Sequence, residues 1–167
     1  MSNEIEKTIK TLNDKHFPNV LKILNRYSYI FTNFREATKD EDTQQGFDAV
    51  FSFPDVKIPV RVRTYSAVKY LDFTVRSLMT SGDTEIDKLK KGFGDYYLYA
   101  WETQNGLSIG RYMILNLNQF RKTDVINYPA RKDVDNGDGT KFNVYCIDKL
   151  LKNNVVVVFE NLETHKP

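Results

Sequence analysis

The sequence has few of the residues that build disulfide frameworks and metal clusters. It contains one cysteine, Cys146, and two histidines, His16 and His165, which lie far apart in the chain. One thiol excludes a disulfide framework and a thiolate cluster, and two distant imidazoles argue against a histidine-based zinc site. They equally argue against a nucleophile activated by histidine. The sequence also has no glycine-rich phosphate loop.

Long apolar runs are absent as well. No segment approaches the roughly 20 apolar residues of a membrane helix, and the first ten residues contain no apolar signal segment. We therefore expect a cytoplasmic protein without membrane contact. Hydrophobic residues make up 41% and aromatic residues 13%, which is enough for a core, and 167 residues fit one domain.

The net charge of +2 is unevenly distributed along the chain. Residues 57–91 contain eight basic and four acidic side chains. This local excess is compatible with a polyanionic partner, and it is equally compatible with a solvated protein face. Both interpretations stay open at this point.

The first third of the sequence has a helical pattern. Apolar residues recur at steps of three and four over residues 5–34, which is typical of amphipathic helices. Because proline removes a backbone donor, we expect two helices, or one that is broken near His16–Pro18. The polar stretch 35–46 predicts the end of a helix and a loop.

After residue 46 the period changes to two, which indicates strands. Residues 47–53 and 56–65 predict a β-hairpin that turns at Pro54-Asp55, and residues 71–78 predict a third strand beside it. Asp83 or Thr84 is placed to cap a following helix that ends at Gly92 or Gly94.

The second half alternates strands with short helices. Strands over residues 95–103 and 107–117 are joined at Asn105-Gly106, a strong hairpin signal. The remaining elements are predicted in this order: a helix at 118–123, a loop at 126–140, a strand at 141–147, a helical turn at 148–153 and a buried strand at 155–161.

This order predicts an α/β (α+β) fold. We expect a mixed central sheet with N-terminal helices and a helix after the third strand. We treat residues 1–167 as a single domain with three parts: an N-terminal helical segment (1–45), a core (46–122) and a C-terminal α/β extension (123–167).

A candidate site follows from the strand pattern. Alternation places Arg61 and Arg63 on one face of the second strand, and Asp72, Thr74 and Arg76 on the polar face of the third. Glu85 and Lys88 are neighbours on the helix surface. Carboxylates near these cations would suit Mg²⁺, which can activate water against a phosphate. These carboxylates would be Asp48, Asp72 and Glu85.

A simpler interpretation explains the same acids without a ligand. Asp72 would pair with an arginine in the sheet. Glu85 would stabilise the first turn of its helix. Intramolecular pairing of this kind needs neither a metal nor a substrate.

Two further patterns favour structural roles. Tyr97, Tyr99 and Trp101 share one face of their strand, and we expect them in the core rather than in a base-stacking platform. The segment DVDNGDGTK at residues 133–141 has the wrong spacing for a calcium loop, so it predicts a tight turn.

Five stretches between residues 46 and 101 resemble one known superfamily. They are FDAVF, RVRTY, YLDFTVRS, TEIDKLKKG and DYYLYAW. Their succession is similar to the PD-(D/E)XK nuclease-like superfamily, in particular to its small phage- and mobile-element-type members. The resemblance implies a restriction-endonuclease-like core that cuts or binds DNA with Mg²⁺.

The resemblance also assigns positions in this chain. The first acid of the superfamily would fall on Asp48. Val60 and Val62 stand where its second acid and its lysine would fall, so the usual arrangement for cleavage is incomplete. Asp72 or Glu85 could take over the role of the second acid.

The sequence therefore predicts a DNA-binding or DNA-processing protein. The catalytic residues would be Asp48, Asp72, Glu85 and Lys88. Asp48, Asp72 and Glu85 would hold Mg²⁺, and Arg61, Arg63 and Arg76 would contact nucleic-acid phosphates. The alternative is a non-catalytic interaction protein, such as a phage-type inhibitor or accessory factor. In that case the amphipathic N-terminus would serve a homodimer or the groove of a protein partner.

Overall fold

A computed structural model describes residues 2–31, 33–36, 49–52, 55–78 and 82–165. The chain forms two compact units. The larger one combines Met1–Phe17 with Lys57–Pro167, and the smaller one is Pro18–Val56.

Four α-helices occur in the described part of the chain: α1 (Ser2–Arg26), α2 (Glu85–Lys90), α3 (Leu117–Lys122) and α4 (Ile147–Lys152). The helix α1 is continuous through Pro18, so the predicted break near His16–Pro18 is wrong. Proline removes one backbone donor, and in a helix of 25 residues the other backbone bonds maintain the helical path. The boundary between the two units falls at this proline.

The smaller unit contains the end of α1 and a two-stranded sheet. On the helix, Val20 and Ile23 are buried, as is Tyr27 just beyond it. Strand β1 (Asn33–Glu36) pairs antiparallel with strand β2 (Ala49–Ser52). The predicted loop at 35–46 therefore begins with a strand, and residues 37–48, including Asp48, lie outside the described residues.

The described residues of the larger unit form seven strands: β3 (Val60–Arg63), β4 (Asp72–Leu78), β5 (Tyr96–Glu102), β6 (Ile109–Asn116), β7 (Arg131–Asp135), β8 (Lys141–Cys146) and β9 (Val156–Asn161). One sheet has the order β3-β5-β6-β9 and the other has the order β4-β8-β7. Strand β3 runs parallel to β5, and all other neighbours are antiparallel. The molecule is therefore mixed α/β with a mixed sheet, as predicted.

Two predictions of strand pairing are wrong. Strand β2 pairs with β1, and β3 pairs with β5, so residues 47–53 and 56–65 do not form a hairpin. Strand β4 lies in the other sheet, beside β8, so the expected three-stranded sheet does not form. The predicted loop at 126–140 contains β7, which pairs with β8. For β3 and β4 the true partners, β5 and β8, lie far along the chain, whereas the missed strand β7 pairs with the strand that directly follows it.

Other local predictions are confirmed. Helix α2 begins after Thr84, whose side chain accepts from the backbone N–H of Asp87, while the Asp87 carboxylate accepts from the backbone N–H of Thr84. This reciprocal pair is a capping box. Strands β5 and β6 flank the Asn105-Gly106 turn.

One hydrophobic core joins the two sheets of the larger unit. Phe73 on β4 makes edge-to-face contacts with Tyr97 and Tyr99 on β5 and with Phe120 on α3. Tyr97, Tyr99 and Trp101 are all buried, which confirms their predicted place in the core. Strand β9 was predicted to be buried, but Val157 and Phe159 are each 40% exposed.

Asn13, at the middle of α1, covers the open edge of β3. The Asn13 side chain donates from Nδ2 to the Val60 carbonyl (3.1 Å) and accepts on Oδ1 from the Val62 N–H (2.8 Å). Nearby, Nε2 of the buried His16 lies 3.3 Å from Oε2 of Glu102. One amide side chain thus satisfies two backbone groups that a neighbouring strand would otherwise bind.

None of the helices that the structure describes combines the length and the apolar character needed to cross a bilayer.

Candidate anion-binding site

Strand β3 directs Arg61 and Arg63 towards β4, as the alternation predicted. Arg61 donates from Nη1 to the Thr74 carbonyl (3.0 Å) and from Nη2 to Glu85 Oε2 (2.8 Å). Arg63 donates from Nη1 to Thr74 Oγ1 (2.6 Å) and to the Tyr99 hydroxyl (2.7 Å). Each guanidinium is therefore held by at least two hydrogen bonds.

Glu85, at the start of α2, uses both carboxylate oxygens within the protein. Oε2 accepts from Arg61 and from the backbone N–H of Arg76 (3.1 Å), and Oε1 accepts from the Tyr97 hydroxyl. The Arg61 and Glu85 side chains are 15% and 22% exposed. This carboxylate therefore orients Arg61 and connects α2 to β3, β4 and β5.

The environment maintains the charge states of this network. Burial by itself lowers the pKa of Arg61, but the Glu85 carboxylate raises it, and the net direction is upward. Burial and the nearby Glu85 charge raise the pKa of Tyr97 well above its ordinary value. Arg61 therefore stays charged, and Tyr97 keeps the proton that it donates to Glu85.

Asp72 has different partners. One carboxylate oxygen lies 3.5 Å from Arg131 Nη2 on β7, in the same sheet. Burial raises the pKa of Asp72, although the charges of Arg63 and Arg131 lower it in part. The simpler interpretation, an Asp72–arginine pair within the sheet, is confirmed. Lys88 lies exposed on the surface of α2.

A pocket of about 190 Å³ opens beside β3. Four cationic side chains line it, and we call it the basic pocket: Arg61, Arg63, Arg76 and Lys141. None of the described residues that line it carries a carboxylate. The three arginines that the sequence assigned to phosphate contacts are therefore brought together at one concave surface.

Neutral residues complete the lining of the basic pocket. The apolar ones are Leu12, Val62 and Phe142, and the polar ones are Thr64, Thr74, Asn136 and Thr140. The turn that carries Asn136 and Thr140 is fixed by Asp138, which accepts from the Thr140 hydroxyl (2.5 Å) and from Asn136 Nδ2 (3.1 Å). These Thr140 and Asn136 bonds lower the pKa of Asp138.

The acids predicted to hold Mg²⁺ do not form a metal site in the described part of the chain. No group of three or more His, Cys, Asp or Glu side chains that could hold a metal occurs there. Glu85 is bonded on both oxygens, and Asp72 faces Arg131. Asp48 lies outside the described residues. Asp72 and Glu85 are therefore each engaged within the protein, and the Mg²⁺ site stays a prediction.

Sequence reasoning missed Lys141. The register of β4 and β8 sets Leu78 opposite Lys141 and Arg76 opposite Phe142, which brings Lys141 close to Arg76. The only signal in the sequence was the position of Lys141 at the start of a predicted strand. The strand that brings Arg76 beside it, β4, lies more than sixty residues earlier in the chain.

Comparisons of the chain with protein-family profiles, with curated proteins and with solved structures found no match.

Proposed function

We propose that this protein binds nucleic acid through the basic pocket and does not cleave it. The convergence of Arg61, Arg63, Arg76 and Lys141 on one concave surface carries the proposal. Guanidinium groups match phosphate oxygens in geometry and stay charged at every physiological pH. Phosphate contacts give affinity without base specificity, so we expect binding that is salt-dependent and largely independent of sequence.

The arrangement around the pocket supports binding more than catalysis. Glu85 is engaged with Arg61, Tyr97 and the backbone of Arg76. Val60 and Val62 stand where the resembled superfamily has its second acid and its lysine. As part of the same proposal, the protein has a restriction-endonuclease-like core that no longer supports metal-dependent cleavage. It is supported by the mixed α/β architecture and by the position of α2 after β4.

The binding test compares variants that remove charge from the pocket with a variant that removes charge elsewhere. Arg76→Gln and Lys141→Gln should each weaken binding of single-stranded and duplex oligonucleotides by about tenfold or more. A hydrogen bond to a charged group is worth roughly 1.5–3 kcal/mol. Fluorescence anisotropy at one fixed salt concentration measures the affinity.

The matched control is Lys152→Gln, which removes the same charge from an exposed position outside the pocket. It should bind like the parent protein. Equal losses in all three variants would show a general charge effect and would contradict the assignment to the pocket. Absence of binding to DNA and RNA by the parent would refute the proposal and favour a protein partner.

Catalysis is tested separately with plasmid DNA in Mg²⁺, Mn²⁺ or EDTA. We expect no nicking in any condition, and mobility shifts that EDTA leaves unchanged. Metal-dependent nicking that disappears in Asp48→Ala and Glu85→Gln, with folding retained, would establish the nuclease instead. Thermal unfolding of each variant provides the folding control.

A further inference from the structure

We infer that the basic pocket takes the terminal phosphate of a nucleic-acid strand rather than an internal phosphodiester. The inference rests on the proposed function and specifies its ligand. The size of the pocket, the convergence of its lining, its charge and its preorganised donors each support it.

The first observation is size. The pocket has a volume of about 190 Å³, which is below the roughly 300–1,000 Å³ of pockets that enclose drug-sized ligands. It can hold a phosphate and part of the attached sugar. A duplex, or two consecutive nucleotides, would extend far outside it.

The second observation is that the lining converges from several elements. The lining comes from separate parts of the chain: α1 supplies Leu12, β3 supplies Arg61 and Arg63, β4 supplies Arg76, and β8 supplies Lys141. An internal phosphodiester has a sugar on both sides, so it needs an open groove through which the strand can enter and leave. A terminal phosphate has one substituent and can enter a pocket end-on.

The third observation is charge. Four cations line the pocket and none of the described lining residues is acidic, while Glu85, which is not part of the lining, pairs with Arg61. A phosphomonoester carries about −1.5 to −2 charges at pH 7, whereas each internal phosphate of a strand carries one. A pocket with several cations at one point therefore favours the monoester. Apolar contacts from Leu12 and Phe142 would face the sugar.

The fourth observation is that the cations are fixed before any ligand binds. Glu85 and the Thr74 carbonyl hold Arg61, and Thr74 Oγ1 and the Tyr99 hydroxyl hold Arg63. Preorganised donors lose little side-chain entropy on binding, which increases affinity for a compact ligand of matching shape.

The test uses one single-stranded decamer in four forms, each labelled at an internal base. The forms carry two hydroxyl ends, a 5′-phosphate, a 3′-phosphate, or a phosphate methyl ester at the preferred end. We expect one phosphorylated form to bind at least tenfold tighter than the hydroxyl form. The methyl ester, which has similar bulk but one charge, should bind like the hydroxyl form.

The variants connect this preference to the pocket. Arg76→Gln and Lys141→Gln should reduce the preference for the phosphorylated end, while Lys152→Gln should leave it intact. Equal binding of all four forms would refute the terminal-phosphate inference and leave the proposed function standing. Absence of binding by every form, and by duplex and RNA, would refute both.

A competition experiment separates a strand end from a free nucleotide. A nucleoside monophosphate should displace the phosphorylated decamer only at a concentration at least tenfold above that of the unlabelled phosphorylated decamer. If the nucleoside monophosphate displaces the labelled decamer at the same concentration as the unlabelled phosphorylated decamer does, the pocket binds a mononucleotide fully. That result would overturn the assignment to strand ends.

Discussion

At the scale of residues, the sequence predicted the cations of the site better than the roles of its acids. Strand alternation is a local property, so Arg61 and Arg63 fall on one face whatever the partner strand is. The partner of an acid depends on which distant elements pack together. Glu85 meets Arg61 and Tyr97 only because α2, β3 and β5 meet. No local pattern in the sequence contains that information.

Asp72 gives a prediction about pH. Burial raises the pKa of Asp72 in the folded protein, so the folded state binds a proton more tightly than the unfolded state does. The contribution of Asp72 to stability is therefore largest below the ordinary aspartate pKa, and it falls as pH rises through the folded-state value. We expect Asp72→Asn to unfold at a higher denaturant concentration than the parent at pH 7. The difference should close below about pH 4.

Asp87 provides a control, because its pKa is shifted in the opposite direction to that of Asp72. Its hydrogen bonds to Thr84 lower the pKa of Asp87, so its carboxylate stabilises the fold above the ordinary pKa, and that contribution is lost as pH falls. Asp87→Asn should therefore be less stable than the parent at pH 7. Denaturation curves that shift in the same direction for both variants at pH 7 would contradict this account.

At the scale of elements, short-range signals located α2 and the β5–β6 hairpin but did not identify the partner of β3. The capping residues of α2 and the Asn105-Gly106 turn act within a few residues, and both appear where predicted. Strand β3 was assigned to a hairpin because β2 is the nearest strand before it in sequence. A parallel partner such as β5 cannot be joined by a tight turn, so nothing near β3 in the sequence indicates it.

The capping box of α2 predicts a measurable cost of removing Thr84. A threonine N-cap is worth roughly 1 kcal/mol, and a chain of this size loses about 2–4 °C of melting temperature for that amount. Thr84→Ala should show a decrease of this size by differential scanning calorimetry. Thr84→Ser keeps the hydroxyl and should stay close to the parent. A Ser variant as unstable as the Ala variant would show that the methyl group, rather than the cap, matters.

At the scale of the whole molecule, composition predicted a core, and the structure shows where it lies. The larger unit has two sheets whose side chains meet around Phe73, which contacts Tyr97, Tyr99, Phe120 and Tyr145. Among these rings, the sequence predicted core positions for Tyr97 and Tyr99. It could not show that they come from two sheets rather than one, because that depends on the partner of β4.

We therefore expect substitution of Phe73 to cause a large decrease in the free energy of unfolding of the larger unit. Phe73→Ala should cost about 3–5 kcal/mol, because it removes a fully buried ring and leaves a cavity. The single tryptophan, Trp101, is 1% exposed in the same core, so its fluorescence reports unfolding in denaturant. Phe93→Ala removes the same ring from an exposed position and should change the stability by less than about 0.5 kcal/mol.

If Phe73→Ala does not fold at all, Phe73→Leu provides a smaller perturbation that keeps most of the side-chain volume. It should fall between the parent and the alanine variant in denaturation midpoint. Equal denaturation midpoints for Phe73→Leu and Phe93→Ala would contradict a large contribution of Phe73 to stability.

The amide of Asn13 has a consequence for the speed of folding. It forms hydrogen bonds with two backbone groups of β3 that lie 47 and 49 residues further along the chain. His16 contacts Glu102, which lies 86 residues further along the chain. Native contacts between such distant positions form late, because each needs a long loop to close before it contributes any stability. Until then β3 exposes unpaired backbone groups to other chains. Refolding should therefore be slow, and its yield should fall as protein concentration rises.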